Sequence, residues 1–174
     1  MENAYGLMKE GIREERGILE GGGGAQEKVL GVDTIGMYGP FIAGAVAILH
    51  LWRQPKYVGG YLVGSWWNEQ CVVFLKRWIK EPRPVRMVND PNHPAYYGMP
   101  SGHAQHVVFT LVYLWLVKPS WIVSCICGVV GGITIWERVK NRRHTTTQVA
   151  VGMGLGSIVA MVSVYIIRKT IEMW

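Results

Sequence analysis

Residues Gln148–Ile167 read QVAVGMGLGSIVAMVSVYII, twenty positions without an acidic or basic side chain. A helix of that length is about 30 Å long, the thickness of a bilayer's hydrocarbon core. Outward from this stretch, four more apolar runs precede it. Ile35–Trp52 has only His50 as a potential charge, and Tyr57–Leu75 contains Asn68, Glu69 and Gln70. His103–Val117 and Trp121–Trp136 are shorter and can be extended by flanking residues at the interface. Trp52, Trp66, Trp67, Trp115, Trp121 and Trp136 lie mostly towards run ends, where membrane proteins place aromatic residues. Five such runs leave too little polar surface to coat a soluble globule of 174 residues. The expected fold is therefore all-α: a polytopic membrane helical bundle with about five transmembrane helices, occupying residues 32–170.

Composition points the same way. Hydrophobic residues make up 49% of the chain and charged residues 17%, against about 25% charged in a soluble domain, which excludes intrinsic disorder. The three cysteines (Cys71, Cys125, Cys127) lie in apolar runs and do not suggest a secreted disulfide scaffold. The net charge is +6, which by itself would be compatible with nucleic acid. Its distribution is not: the basic residues are confined to short stretches between apolar runs, as in membrane proteins, so membrane lipids rather than nucleic acid are the expected surroundings. Residues 1–31 differ from the rest. Tyr5, Met8, Ile12 and Leu19 recur at near-helical spacing among Glu and Arg, and Gly21–Gly24 would break a helix. An amphipathic N-terminal segment with a Gly hinge is expected there, not a cleavable signal peptide.

With five spans, alternate loops share a side, so loops 76–102 and 137–147 can meet at one membrane face. They hold most of the chemistry. Lys76 and Arg83 flank Arg77-Trp78-Ile79-Lys80-Glu81-Pro82, with Pro82 and Pro84 stopping the helix. Pro100-Ser101-Gly102-His103 stands directly before an apolar helix, where backbone N–H groups and the helix dipole favour an anion such as phosphate. Glu137-Arg138 is followed by His144 and, one helical turn later, Gln148. Three cations from three chain positions could neutralise a phosphoryl group, Ser101 and the N–H groups of Gly102 and His103 could donate to it, and two histidines could divide nucleophilic attack and protonation.

The joint spacing Lys-x6-Arg-Pro, Pro-Ser-Gly-His and Arg-x5-His resembles the type 2 phosphatidic acid phosphatase superfamily over roughly residues 57–167. Within it, Glu81-Pro82-Arg83-Pro84, Gly98-Met99-Pro100-Ser101 with Gln105, His144-Thr145 with Gln148, and Asn68-Glu69 look like the dolichyl diphosphatase branch. That resemblance implies an integral-membrane hydrolase that removes one phosphate from a polyprenyl or dolichyl diphosphate, in the endoplasmic reticulum or a related internal membrane, with a lumen-facing site. It makes His144 the nucleophile, through a phosphohistidine, and His103 the general acid. Arg138 joins them as a catalytic residue by supplying positive charge, and Lys76, Arg83, Ser101, Gly102 and Arg138 hold phosphate. No cofactor and no metal are expected. Phosphatidate or another lipid phosphate is the alternative substrate, and a structural membrane protein with reduced catalysis is the alternative class. Oligomeric state is not readable.

Two positions depart from the superfamily: Glu137 stands where Ser is usual before the Arg, and Gln148 where Asp is usual after the His. A Gln carbonyl can orient the imidazole but brings no charge. Glu137 could neutralise Arg138, or point to water or pair with Lys140. Glu69, inside a span, is expected to orient a cation or make a polar helix contact. His106 reads as a polar wall residue, and His50 and His93 as interfacial. Gly128-x3-Gly132 and Gly152-x3-Gly156 both suggest close helix packing.

Overall fold

The computed structural model describes residues 30–85 and 96–173. The expected amphipathic segment and His93 lie outside them, apart from the last two positions of the segment. The described residues form an all-α bundle: α1 Leu30–Leu51, α2 Pro55–Ile79, α3 Gly102–Val117, α4 Trp121–Lys140 and α5 Thr146–Glu172. Each expected run lies on one helix. Gly31–Leu51, α4 and α5 are long and apolar enough to cross a membrane, whereas α3 is a shorter apolar helix. The 25-residue α2 is long enough but more polar. Its polar centre is in part structural: fully buried Asn68 accepts from Gln105 Nε2 of α3 at 2.9 Å. Trp66 and Trp67 fall at the middle of α2 rather than at an end, so they are not belt residues.

The short α3 is the axis of the bundle and touches each of the other four helices. Its Phe109, Tyr113 and Leu114 join Leu51, Tyr61, Cys127 and Val164 in one core. Tyr113 donates to the Tyr57 carbonyl at 2.9 Å, which satisfies its hydroxyl in the apolar interior. Outward-facing Phe41, Leu49, Ile122 and Tyr165 are exposed, as expected for side chains whose solvent is lipid rather than water.

Small residues set the helix spacing near the site. A Cβ at Gly152 would stand 2.5 Å from the Ser101 carbonyl oxygen, and one at Gly156 would strike the Gln105 carbonyl. The Gly152-x3-Gly156 stripe thus lets α5 lie directly on the start of α3. Gly128-x3-Gly132 does not do this: a Cβ at either position would meet nothing within 4 Å. Periodicity marks a small-residue stripe but not which way it turns. On α4 the inward position is Gly131, whose added Cβ would lie 3.6 Å from Val107.

Candidate active site

All three motifs come together at one end of the bundle. The first begins at the end of α2. Lys80 takes a left-handed conformation (φ 55°), and its N–H closes on the Lys76 carbonyl at 3.1 Å. The chain then turns back, with Pro82 bridged to Tyr97. Buried Lys76 Nζ and Arg83 Nε both donate to the Tyr97 carbonyl, at 3.1 Å and 3.2 Å. One backbone oxygen therefore gathers two cations that the sequence separates by six residues. Arg83 also lies within Coulombic reach of Arg138 and Arg143, and its pKa falls to about 10 because burial and these like charges disfavour the charged form.

The second motif opens α3. Ser101 is fully buried, and its side chain does not cap the helix. Its N–H donates to the Gln148 backbone carbonyl at 3.0 Å, which ties the second motif to the third. Among the described residues, Ser101 Oγ has no hydrogen-bond partner. Gly102 and His103 begin the helix, where N–H groups have no intrahelical acceptor. His103 Nε2 lies 3.2 Å from the Met37 carbonyl of α1. A carbonyl can only accept, so this nitrogen carries the proton.

The third motif is the link from α4 to α5. The N–H groups of Arg143 and His144 both close on the Arg138 carbonyl, at 3.0 Å and 3.1 Å, with Arg142 in a left-handed conformation (φ 50°). Thr145 then caps α5 in a capping box. Its hydroxyl accepts from Gln148 N at 3.1 Å, and Gln148 Oε1 accepts from Thr145 N at 3.3 Å. His144 Nδ1 lies 3.1 Å from the same Gln148 Oε1. Burial and the neighbouring Arg83 and Lys76 push the His144 pKa down to about 3, opposed by Gln148 and the Gly98 carbonyl.

Glu137 neither points to water nor pairs with Lys140. It is 1% exposed and forms an ion pair with Arg138. Its other oxygen accepts from Asn141 at 2.8 Å and faces Arg143 at 3.4 Å. Lys140 lies over the Trp136 ring instead. One carboxylate is therefore shared between two guanidinium groups and an amide. Arg138 Nη2 is buried with no hydrogen-bond partner among the described residues, so this guanidinium keeps a donor for something else. Glu69 faces His106 at 3.6 Å, a polar contact between α2 and α3. It also lies within Coulombic reach of Lys76.

The profile of the PAP2 superfamily matches residues 56–172. This chain belongs to the PAP2 superfamily. The match takes in α2 to α5 and all three motifs. Lipid phosphate phosphatase epsilon 2, chloroplastic, from Arabidopsis thaliana is 33% identical, over 56% of this chain and 35% of its own length. Its epsilon 1 counterpart is also 33% identical, over 36% of its length. The aligned region thus spans about a third of these relatives. The fold is similar to the crystal structure of the first transmembrane PAP2 type phosphatidylglycerolphosphate phosphatase from Bacillus subtilis. That similarity has a TM-score of 0.51 and 18% identity, and covers 87% of this chain and 92% of that one. With that neighbour and its own apolar helices, this PAP2 protein is an integral membrane protein.

Several residues at the site carried no role in the sequence reading. Tyr97 and Met37 contribute backbone carbonyls, to which sequence is blind. Gly98 has no side chain because a Cβ there would overlap the Gln148 amide. Glu81 accepts from Gln148 Nε2 at 2.7 Å. The available signal for Glu81 was the missing carboxylate at position 148: a charge absent from one position can be supplied from another.

Proposed function

We propose that this PAP2 protein is a lipid phosphatase that works through a phosphohistidine on His144. The observation that carries the reading is the set of buried donors without partners, Ser101 Oγ and Arg138 Nη2, beside two further cations held together by the Tyr97 carbonyl. Leaving a buried donor unpaired costs about 1–3 kcal/mol. A site that bears this cost twice among cations suits an anion with several oxygens. Lys76, Arg83 and Arg138 hold the phosphoryl oxygens, and Ser101 with the N–H groups of Gly102 and His103 adds hydrogen bonds at the start of α3.

His144 Nε2 attacks phosphorus while Nδ1 keeps its proton. The N–P bond forms, the P–O bond to the leaving group breaks, and the bonding pair leaves with that oxygen. His103 enters the step as an imidazolium, keeps its Nε2 proton on the Met37 carbonyl and gives the Nδ1 proton to the leaving oxygen. Water then attacks phosphorus, His103 takes the water's proton, and the electron pair of the N–P bond returns to Nε2. The cations supply the charge stabilisation, so turnover needs no metal and persists in EDTA. Glu137 does not cancel Arg138, because its charge is divided with Arg143.

The substrate we favour is a polyprenyl or dolichyl diphosphate, on the strength of Glu81-Pro82-Arg83-Pro84 and the His144–Gln148 pair. The names of the Arabidopsis relatives support phosphatidate or another lipid phosphate as the second reading. The location divides in the same way. The diphosphatase reading implies the endoplasmic reticulum, and the relatives' names the chloroplast. Phosphate release by the purified protein from polyprenyl diphosphate, phosphatidate and phosphatidylglycerol phosphate separates the substrates. Release from none of them, in wild type and His144→Ala alike, would sink the phosphatase reading and favour a structural role.

A further inference from the structure

The amide of Gln148 meets partners that each allow only one polarity. Its Nε2 donates to Glu81 Oε1 at 2.7 Å and to the Pro82 carbonyl at 2.9 Å, and a carboxylate and a carbonyl both only accept. Its Oε1 receives the Thr145 N–H at 3.3 Å, and a backbone N–H only donates. These three contacts fix which end of the amide faces His144. The oxygen lies 3.1 Å from His144 Nδ1, so Nδ1 must be the protonated nitrogen. Nε2 is left with its lone pair.

We infer that Glu81 is a positioning residue for the His144 nucleophile, supplying through the Gln148 amide the carboxylate that residue 148 lacks. The chain of contacts runs His144 Nδ1–H to Gln148 Oε1, then Gln148 Nε2–H to Glu81 Oε1. A negative charge at the far end polarises the amide and makes its oxygen a stronger acceptor. When Nε2 bonds to phosphorus, the ring becomes cationic, and the polarised amide stabilises it at one remove from the charge. Proline residues on both sides of Arg83 and the Gly98 N–H bond to the Glu81 carbonyl, at 2.8 Å, hold the backbone that presents Glu81. Gly98 lets the Gln148 amide approach, since a Cβ there would overlap it.

The inference rests on the phosphatase reading, and its test separates the two. The full-length protein labelled with ¹⁵N-histidine reports the His144 tautomer, assigned by the signal that His144→Ala removes. The expected tautomer has Nδ1 protonated, and its proton resonance shifts in Glu81→Gln, which keeps an acceptor but loses the charge. Glu81→Gln should lower kcat about ten- to a hundredfold with KM little changed, and Glu81→Asp should fall between it and wild type. A residue that merely stabilised the loop would change neither the tautomer signature nor kcat alone. A ring protonated on Nε2, turned to the Gly98 carbonyl, would overturn the relay, as would Glu81→Gln turning over within twofold of wild type. Should Glu81→Gln fail to fold, Glu81→Asp carries the test of kcat and of the proton shift, and a wild-type ring protonated on Nε2 would still overturn the relay. An inactive wild type with the expected tautomer and its response to Glu81→Gln would remove the phosphatase reading and leave the relay standing.

Discussion

Helices α3 and α5 both begin at the site, yet their first turns are finished differently. Thr145 closes the start of α5 with a capping box, and Gln148 serves the cap, the His144 ring and the Glu81 carboxylate together. Ser101 occupies the equivalent position before α3, is a residue type well suited to capping, and caps nothing. Its hydroxyl is buried without a partner among the described residues. The closed start is organised within the protein and holds the His144 ring, the proposed nucleophile, in place. The open start leaves its donors for an anion. The two starts lie side by side, with Ser101 N–H on the Gln148 carbonyl, and under the proposed mechanism they divide the work: one turn presents the attacking atom, the other receives the phosphoryl oxygens.

The largest effect should come from the closed side. His144→Ala removes the proposed attacking nitrogen, and phosphate release should fall by more than about 10⁴-fold. No ³²P-labelled protein should be trapped by quenching in alkaline denaturant, which preserves the acid-labile N–P bond of a phosphohistidine and should trap it in wild type. Full turnover by this variant would show that water attacks directly and that the two starts do not differ in kind. Ser101→Ala tests the open side. Loss of one donor to the developing charge should lower kcat about a hundredfold. The thermal midpoint should stay level or rise slightly, because a buried hydroxyl without a partner is removed. A midpoint several degrees lower with kcat intact would mean that Ser101 is a structural residue.

Thr145→Ala reverses the pattern. Losing a capping hydroxyl costs about 1 kcal/mol, so the midpoint should drop by a few degrees, with a far smaller loss of turnover than Ser101→Ala. Thermal unfolding of the two single variants, measured in the same detergent, checks the contrast. Equal effects on stability would erase it.

The difference between the two starts was only partly legible in sequence. The five helices were, because twenty apolar residues in a row have few other fates. The gathering of Lys76, Arg83, Ser101, Arg138 and His144 was also legible, because loop parity allows it and the family resemblance of the three motifs implies it. The partnerships were not. Ser before a helix and Thr before a helix carry the same capping signal, and only the packing of α5 against α3 through Gly152 and Gly156 decides which one turns inward unbonded. Glu81 and Gln148 are 67 positions apart, and no local pattern links them. Glu137 looked free to reach water because its burial comes from α1, where a Cβ at Gly36 would stand 2.5 Å from Glu137 Cβ.

The smallest change expected in turnover concerns pH, and it sharpens the comparison most finely. Burial and the charges of Arg83 and Lys76 hold His144 neutral down to about pH 3, well below the ordinary imidazole value of 6.5. The kcat/KM profile reports groups of the free enzyme, so His144 should add no acid limb between pH 5 and 7.5. The stability sign follows. Between 6.5 and about 3 the unfolded chain binds a proton at residue 144 that the folded chain does not. Folding stability from this group is therefore complete above 6.5 and is lost as pH falls through that window. Gln148→Asp places a carboxylate directly against the ring. It should raise the His144 pKa, bring an acid limb into view and shrink the acid loss of stability from this group, because the window between the folded and unfolded values narrows from its lower end. Ionisation of the substrate phosphate is common to both proteins and cancels when the two profiles are compared. A wild-type limb near 6.5 that Gln148→Asp leaves unmoved would mean that the closed start does not govern the ring's charge, and that Gln148 only caps the helix.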